Sequence, residues 1–139
     1  MKRYCTVLML ALLGCGLANA EKLELADIQA PTDLDNIHVV KLNSDKNASD
    51  FIVFIKKYVP LHKHVFHTES IYILEGTGLM QMGDEEFPVG PGDYIKVPEN
   101  TPHAVQTTSE VPLKALSVQA PEFLGKDRVA VEPNSLTDY

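Results

Sequence analysis

All five histidines of this 139-residue chain, His38, His62, His64, His67 and His103, lie beyond its first twenty residues. Three of them fall within six positions, and a glutamate follows at once, in Leu61-His62-Lys63-His64-Val65-Phe66-His67-Thr68-Glu69. In an extended strand side chains alternate, so His62 and His64 project from one face and their imidazoles can grip one ion from one side. Glu69 lies five residues beyond His64, so the chain must bend before the carboxylate can return to that face. Neutral imidazoles and a carboxylate at converging positions are what a divalent metal takes. A single histidine in a polar stretch would read as an ordinary surface residue. A His-x-His pair followed by glutamate in a strand-rich chain favours a metal site instead. His38, in an acidic lead segment, reads as a surface residue.

The elements that must position these groups are strands. After Asp50 short β-branched or apolar runs are cut by Gly, Pro and Asn, the pattern of β-structure. The runs are Phe51–Ile55, Ile71–Leu74, Gly78–Met82, Phe87–Val89, Tyr94–Val97, His103–Thr107, Leu113–Val118 and Arg128–Val131. Beyond residue 21 no stretch holds a helical apolar period. About eight short strands at this spacing predict an all-β sandwich or barrel, and a jelly roll closes that number of strands. Residues 21–49 read as an acidic segment with one short strand at Ile37–Leu42, and residues 133–139 as a loose tail.

Composition narrows the partners. Apolar residues make up 45% and charged residues 22%, as in a globular protein, and the absence of Trp leaves the core to Val, Ile and Leu. A formal charge of −7 offers no surface for neutralising phosphates, which argues against nucleic acid as a partner. Lys2 and Arg3, an apolar run from Thr6 to Leu13 and the small-x-small site Ala18-Asn19-Ala20 follow the order of a secretory signal peptide. The run is shorter than the roughly 20 residues needed to span a bilayer. Cleavage after Ala20 predicts a periplasmic or secreted protein that has lost both Cys5 and Cys15, hence one without a disulfide. An alternative is that Leu12-Leu13-Gly14-Cys15 acts as a lipobox and Cys15 carries a lipid.

The histidine segment resembles the first motif of the cupin family, G-x5-H-x-H-x(3,4)-E-x6-G, as His62-x-His64-x4-Glu69-x6-Gly76. The second cupin motif, G-x5-P-x-G-x2-H-x3-N, is similar to Gly92-x5-Pro98-x-Asn100-x2-His103-x3-Thr107. Fifteen residues separate Gly76 from Gly92, and the likeness runs from about Asp50 to Ala120. Three positions depart from it: Lys56 stands where the first motif opens with Gly, Asn100 replaces a Gly, and Thr107 replaces the closing Asn. The resemblance implies a single-domain double-stranded β-helix over residues 50–132, and a homodimer. It also implies a metal held by His62, His64, Glu69 and His103 inside one mouth of the barrel. Gly76 and Gly92 would occupy turns that other residues enter with difficulty. His67 would be an additional histidine that shapes the site and could serve as general base, or could replace His62 or His64.

Alternation back from His62 puts Pro60, Tyr58, Lys56 and Phe54 on the metal side; from Glu69 it puts Ile71 and Ile73 there, and from His103 it puts Val105 and Thr107. The mouth is then largely hydrophobic, with Lys56 and Tyr58 as its polar handles, and Tyr58 joins His67 as a candidate catalytic residue. Met80-Gln81-Met82 could offer thioethers to copper, or form a strand with Gln81 on the opposite face. These readings predict an exported metal-dependent oxidoreductase of dioxygenase type, acting on a small organic molecule. The alternatives are an isomerase or lyase, or a non-catalytic protein that binds a metal or small ligand. Iron, manganese, nickel, zinc and copper all accept this donor set.

Overall fold

The computed structural model describes residues 22–132. The signal segment expected at residues 1–20, with Cys5 and Cys15, and the tail expected at 133–139 lie outside the described residues. The first element is a single 3-10 turn, Leu25–Asp27, and ten strands follow. They are β1 (Ile37–Ser44), β2 (Ser49–Ile55), β3 (Tyr58–His64), β4 (Thr68–Glu75), β5 (Gly78–Met82), β6 (Glu85–Val89), β7 (Tyr94–Val97), β8 (His103–Thr107), β9 (Leu113–Ala120) and β10 (Arg128–Ala130). They form two five-stranded antiparallel sheets, in the orders β1-β2-β9-β4-β7 and β10-β3-β8-β5-β6. The fold is all-β, and among the described residues no helix is long and apolar enough to cross a membrane.

Each sheet presents one face to the space between them, and the period of two along the strands decides what fills it. Ile55, Ile73, Met80, Val89, Ile95, Val97, Leu113 and Ala115 form the buried cluster there. Met80 is 3% exposed within this cluster, so the methionine pair packs the barrel rather than offering sulfur to a metal. On β2 the alternate residues Ile52 and Phe54 face outward, where Leu34, Leu25, Ile28 and Ala30 of the leading segment cover them. The acidic lead is thereby a layer of the barrel, with β1 paired along β2 from Ile37↔Ile55 to Ser44↔Ser49.

Lys114 fastens this layer. It is 1% exposed on β9, its Nζ donates to the Leu25 carbonyl at 2.8 Å and to Glu75 Oε1 at 2.9 Å, and it sits 5.6 Å from the centre of the Phe54 ring. Truncating it removes both bonds and the buried stem together. Lys114→Ala is therefore expected to cost about 2 kcal/mol of stability in urea unfolding; an unchanged midpoint would mean that the leading segment docks without it.

Two turns meet the backbone demands expected from their residues. Gly76 has φ +73°, and a Cβ there would meet the Pro112 carbonyl oxygen at 2.8 Å. Asn100, where the second motif has glycine, takes φ +60°, a conformation that asparagine tolerates better than most residues.

Candidate metal centre

β3 carries His62 and His64 on its inner face, 5% and 3% exposed, with Lys63 between them turned outward. His103 opens β8 and pairs directly with His62 across the strands, which brings the two rings to 4.2 Å between centroids. The chain then bends through Val65, Phe66 and His67 and enters the other sheet as β4. Glu69, 7% exposed, thus faces the histidines from the opposite wall. One donor nitrogen from each of His62, His64 and His103 lies within 4.8 Å of the others. Glu69 Oε2 stands 3.5 Å from His64 Nε2 and 3.2 Å from His103 Nε2.

The surrounding bonds orient these donors. His62 Nδ1 donates to the Pro60 carbonyl at 2.8 Å and His103 Nδ1 to the Thr101 carbonyl at 3.0 Å, which orients both rings with Nε2 turned inward. Ser117 Oγ donates to Glu69 Oε1 from β9. Burial, with His103 beside it, pulls the His62 imidazole down to about 4, so it is neutral at physiological pH, the form that ligates. Burial pushes the Glu69 carboxyl up, but hydrogen bonds from His103, His64 and Ser117 outweigh it and hold the group well below the usual carboxylate range. Imidazole nitrogens facing one anionic oxygen are a donor set that fits a divalent cation, and His62, His64 and His103, with Glu69 beside them, could hold one.

His67 leaves this group. Its Nδ1 is bonded to Asp127 Oδ2 and its Nε2 donates to the Glu122 carbonyl at 2.8 Å, both in the stretch between β9 and β10. With both ring nitrogens engaged outside the cavity, His67 is in no position to take a proton from a bound molecule. Tyr58, the other residue expected to be catalytic, is 52% exposed and lines a separate outer groove with Leu79 and Gln106. The alternation that put it on the metal side fails for two reasons. A register shift falls between Val59 and His62, and a turn at Lys56-Lys57 separates β2 from β3. Phe54 consequently faces the outer layer, and Lys56 donates to the Leu34 carbonyl at 2.9 Å. Ile71, Ile73 and Val105 do line the interior, while Thr107 donates to the Ile55 carbonyl at 2.8 Å.

Asp127 is the structural partner that sequence reasoning missed. It is 3% exposed and its Oδ2 accepts from His67 and from the Phe66 amide. Among the described residues its Oδ1 has no partner, and it lies 3.9 Å from His64 Nδ1, which also has none there. A small closure would join them and fix His64 as its two neighbours are fixed by carbonyls. Carboxylates behind metal-bound histidines typically contribute 10- to 100-fold in affinity. Asp127→Asn is expected to weaken divalent metal binding by about that factor in a competition titration; unchanged affinity would confine Asp127 to holding His67.

His62, His64, His103 and Glu69 help line a cavity of about 480 Å³ between the sheets. Phe51, Val53 and Ile55 of β2 and Ile71 and Ile73 of β4 supply apolar wall. Ser117, Gln119 and Arg128 are the polar side chains that line it apart from the three histidines and Glu69.

Comparison with known proteins agrees with this architecture. Residues 51–119 match the cupin domain family. An uncharacterized protein of Methanocaldococcus jannaschii is 38% identical over 87 residues, covering 63% of this chain and 70% of that protein. Quercetin 2,3-dioxygenase of Bacillus subtilis is 30% identical over 113 residues, covering 69% of this chain and 33% of the enzyme. A Klebsiella pneumoniae protein with a double-stranded β-helix domain superposes with a TM-score of 0.71 at 12% identity, covering 83% of this chain and all of that one. With a matching family signature spanning β2 to β9, and two sheets that bring both of its histidine motifs to one cavity, the chain belongs to the cupin superfamily.

Proposed function

We propose that this chain is an exported metal-dependent oxidoreductase of dioxygenase type, which acts on a small, largely apolar organic molecule. The observation that carries this reading is the meeting of three buried imidazoles and one buried carboxylate in the wall of an apolar cavity. The likeness to quercetin 2,3-dioxygenase supports the reaction class, and the basic start, apolar run and Ala18-Asn19-Ala20 support export. A redox-active divalent metal held by His62, His64, His103 and Glu69 would supply electron exchange with molecular oxygen and polarisation of a substrate oxygen. The chain's own part is positional. The Pro60 and Thr101 carbonyls orient the His62 and His103 rings, Ser117 holds Glu69, and the apolar walls exclude water from the bound molecule. In this reading the chain is a homodimer, which gives cover to the exposed Ile37 and Val39 of edge strand β1.

One observation favours the second reading, a non-catalytic binding protein, over an isomerase or lyase. Among the described residues, the titratable groups lining the cavity apart from Arg128 are those of the ligand group, so none of them is left to act as a general base. The experiment that tests the proposal begins with elemental analysis of the exported protein, purified without chelator. Oxygen uptake is then measured with a panel of small hydroxylated aromatics that includes quercetin. About one equivalent of iron or manganese, with uptake that depends on an added compound, is the expected result. Stoichiometric zinc without uptake would favour the binding reading, and failure to take up any metal on reconstitution would overturn the proposal.

A further inference from the structure

We infer that the cavity selects an amphipathic ligand, an apolar body bearing an anionic group and a separate hydroxyl or N–H donor, with Arg128 taking the anion and Gln119 the donor. This rests on reading the cavity as a small-molecule site. The walls offer a ligand only apolar contact, and most of the polar side chains that reach the cavity are already engaged: His64, His103 and Ser117 with Glu69, and His62 with the Pro60 carbonyl. Gln119 and Arg128 remain.

Gln119 lies on β9, where it pairs directly with Glu69 on β4, so its side chain arises beside the ligand group. It is 8% exposed and lines the cavity, and its Oε1 is buried without a hydrogen-bond partner among the described residues. Buried amide oxygens are almost always satisfied, and one left bare is a standing penalty that a donor from a bound molecule would relieve. This oxygen can only accept, so it asks for an O–H or N–H group and gives nothing to a bare ring or an ether.

Arg128 opens β10, paired with His64 of β3, and borders the cavity from its exposed side. Among the described residues no carboxylate pairs with it. Among the described residues the one carboxylate lining the cavity, Glu69, is already held by its neighbours. A guanidinium in this setting favours an anion on the part of the ligand nearest the opening, as the unpaired oxygen favours a donor on the buried part.

The test uses 6-hydroxy-2-naphthoate, which carries both groups on an apolar fluorescent body, against 2-naphthoate and 2-naphthol, which lack one each. Each is titrated by fluorescence into the full exported chain, once zinc-loaded and once stripped with chelator. The expected result is about tenfold tighter binding of 6-hydroxy-2-naphthoate than of either comparator, in both forms. Gln119→Leu should erase its advantage over 2-naphthoate alone, and Arg128→Gln its advantage over 2-naphthol alone. Gln119→Leu should melt no lower than the parent, because it exchanges an unpaired buried oxygen for apolar surface. Equal binding of the three probes, binding of none, or preferences that survive both substitutions would overturn the inference. Preferences that hold in a chain that takes up no metal would leave this inference standing while the oxidoreductase reading fell.

Discussion

Replacing His62 and His64 together with alanine is expected to abolish stoichiometric metal retention while leaving a folded β protein. A metal held by four side chains with an apparent binding free energy on the order of 12 kcal/mol draws about 3 kcal/mol from each, so two deletions weaken it about 10⁴-fold. The fold should tolerate the change because the two rings do little else. His62 contributes one bond to the Pro60 carbonyl and His64 its contact with Glu69, while His64 Nδ1 has no partner among the described residues. The strand that carries them is held by backbone pairing to β8 on one side and β10 on the other. Elemental analysis after gel filtration, with far-ultraviolet circular dichroism on the same sample, reads both halves of the expectation. One retained equivalent of metal in a folded variant would remove His62 and His64 from the ligand group.

The pair is also where the sequence spoke most plainly. Residue type and spacing alone placed both imidazoles on one face of a strand, and that face is the one β3 buries. The strand itself was harder to see. Tyr-Val-Pro-Leu-His-Lys-His has none of the continuous β-branched run that marked β2 or β4, because its inner face carries imidazoles in place of aliphatic groups. Extending its alternation back to Tyr58 and Phe54 failed because period-two counting assumes an unbroken strand, and a register shift and a turn intervene. Asp127, Ser117, Gln119 and Arg128 left no local signal. Ser117 reaches Glu69 across 48 residues and Asp127 reaches His67 across 60, contacts that exist only once β9 and β10 have paired into their sheets. Motif residues are legible because their spacing is itself the constraint; their supports are set by topology, which a short window of sequence does not contain.

The chelator-stripped protein is expected to lose stability steadily as pH falls from 6.5 towards 4. In the unfolded chain His62 takes up its proton near 6.5, whereas in the folded protein burial and the neighbouring His103 delay it to about 4. Between those values the unfolded state binds more protons, so stability rises with pH across the interval and falls on acidification. For a side chain only 5% exposed, that difference corresponds to about 3 kcal/mol. Glu69 acts in the same direction at the acid end, its depressed carboxyl contributing stability that is present above its ordinary 4.5 and lost as pH drops below it. Urea unfolding at pH 7, 5.5 and 4.5 measures the slope. His62→Gln, which keeps a polar side chain but cannot titrate, should flatten the part between 6.5 and 4.5. A parent protein equally stable across that range would mean that His62 charges freely in the folded state, and a freely charging imidazole is not the neutral, inward-facing donor that the proposed metal centre requires.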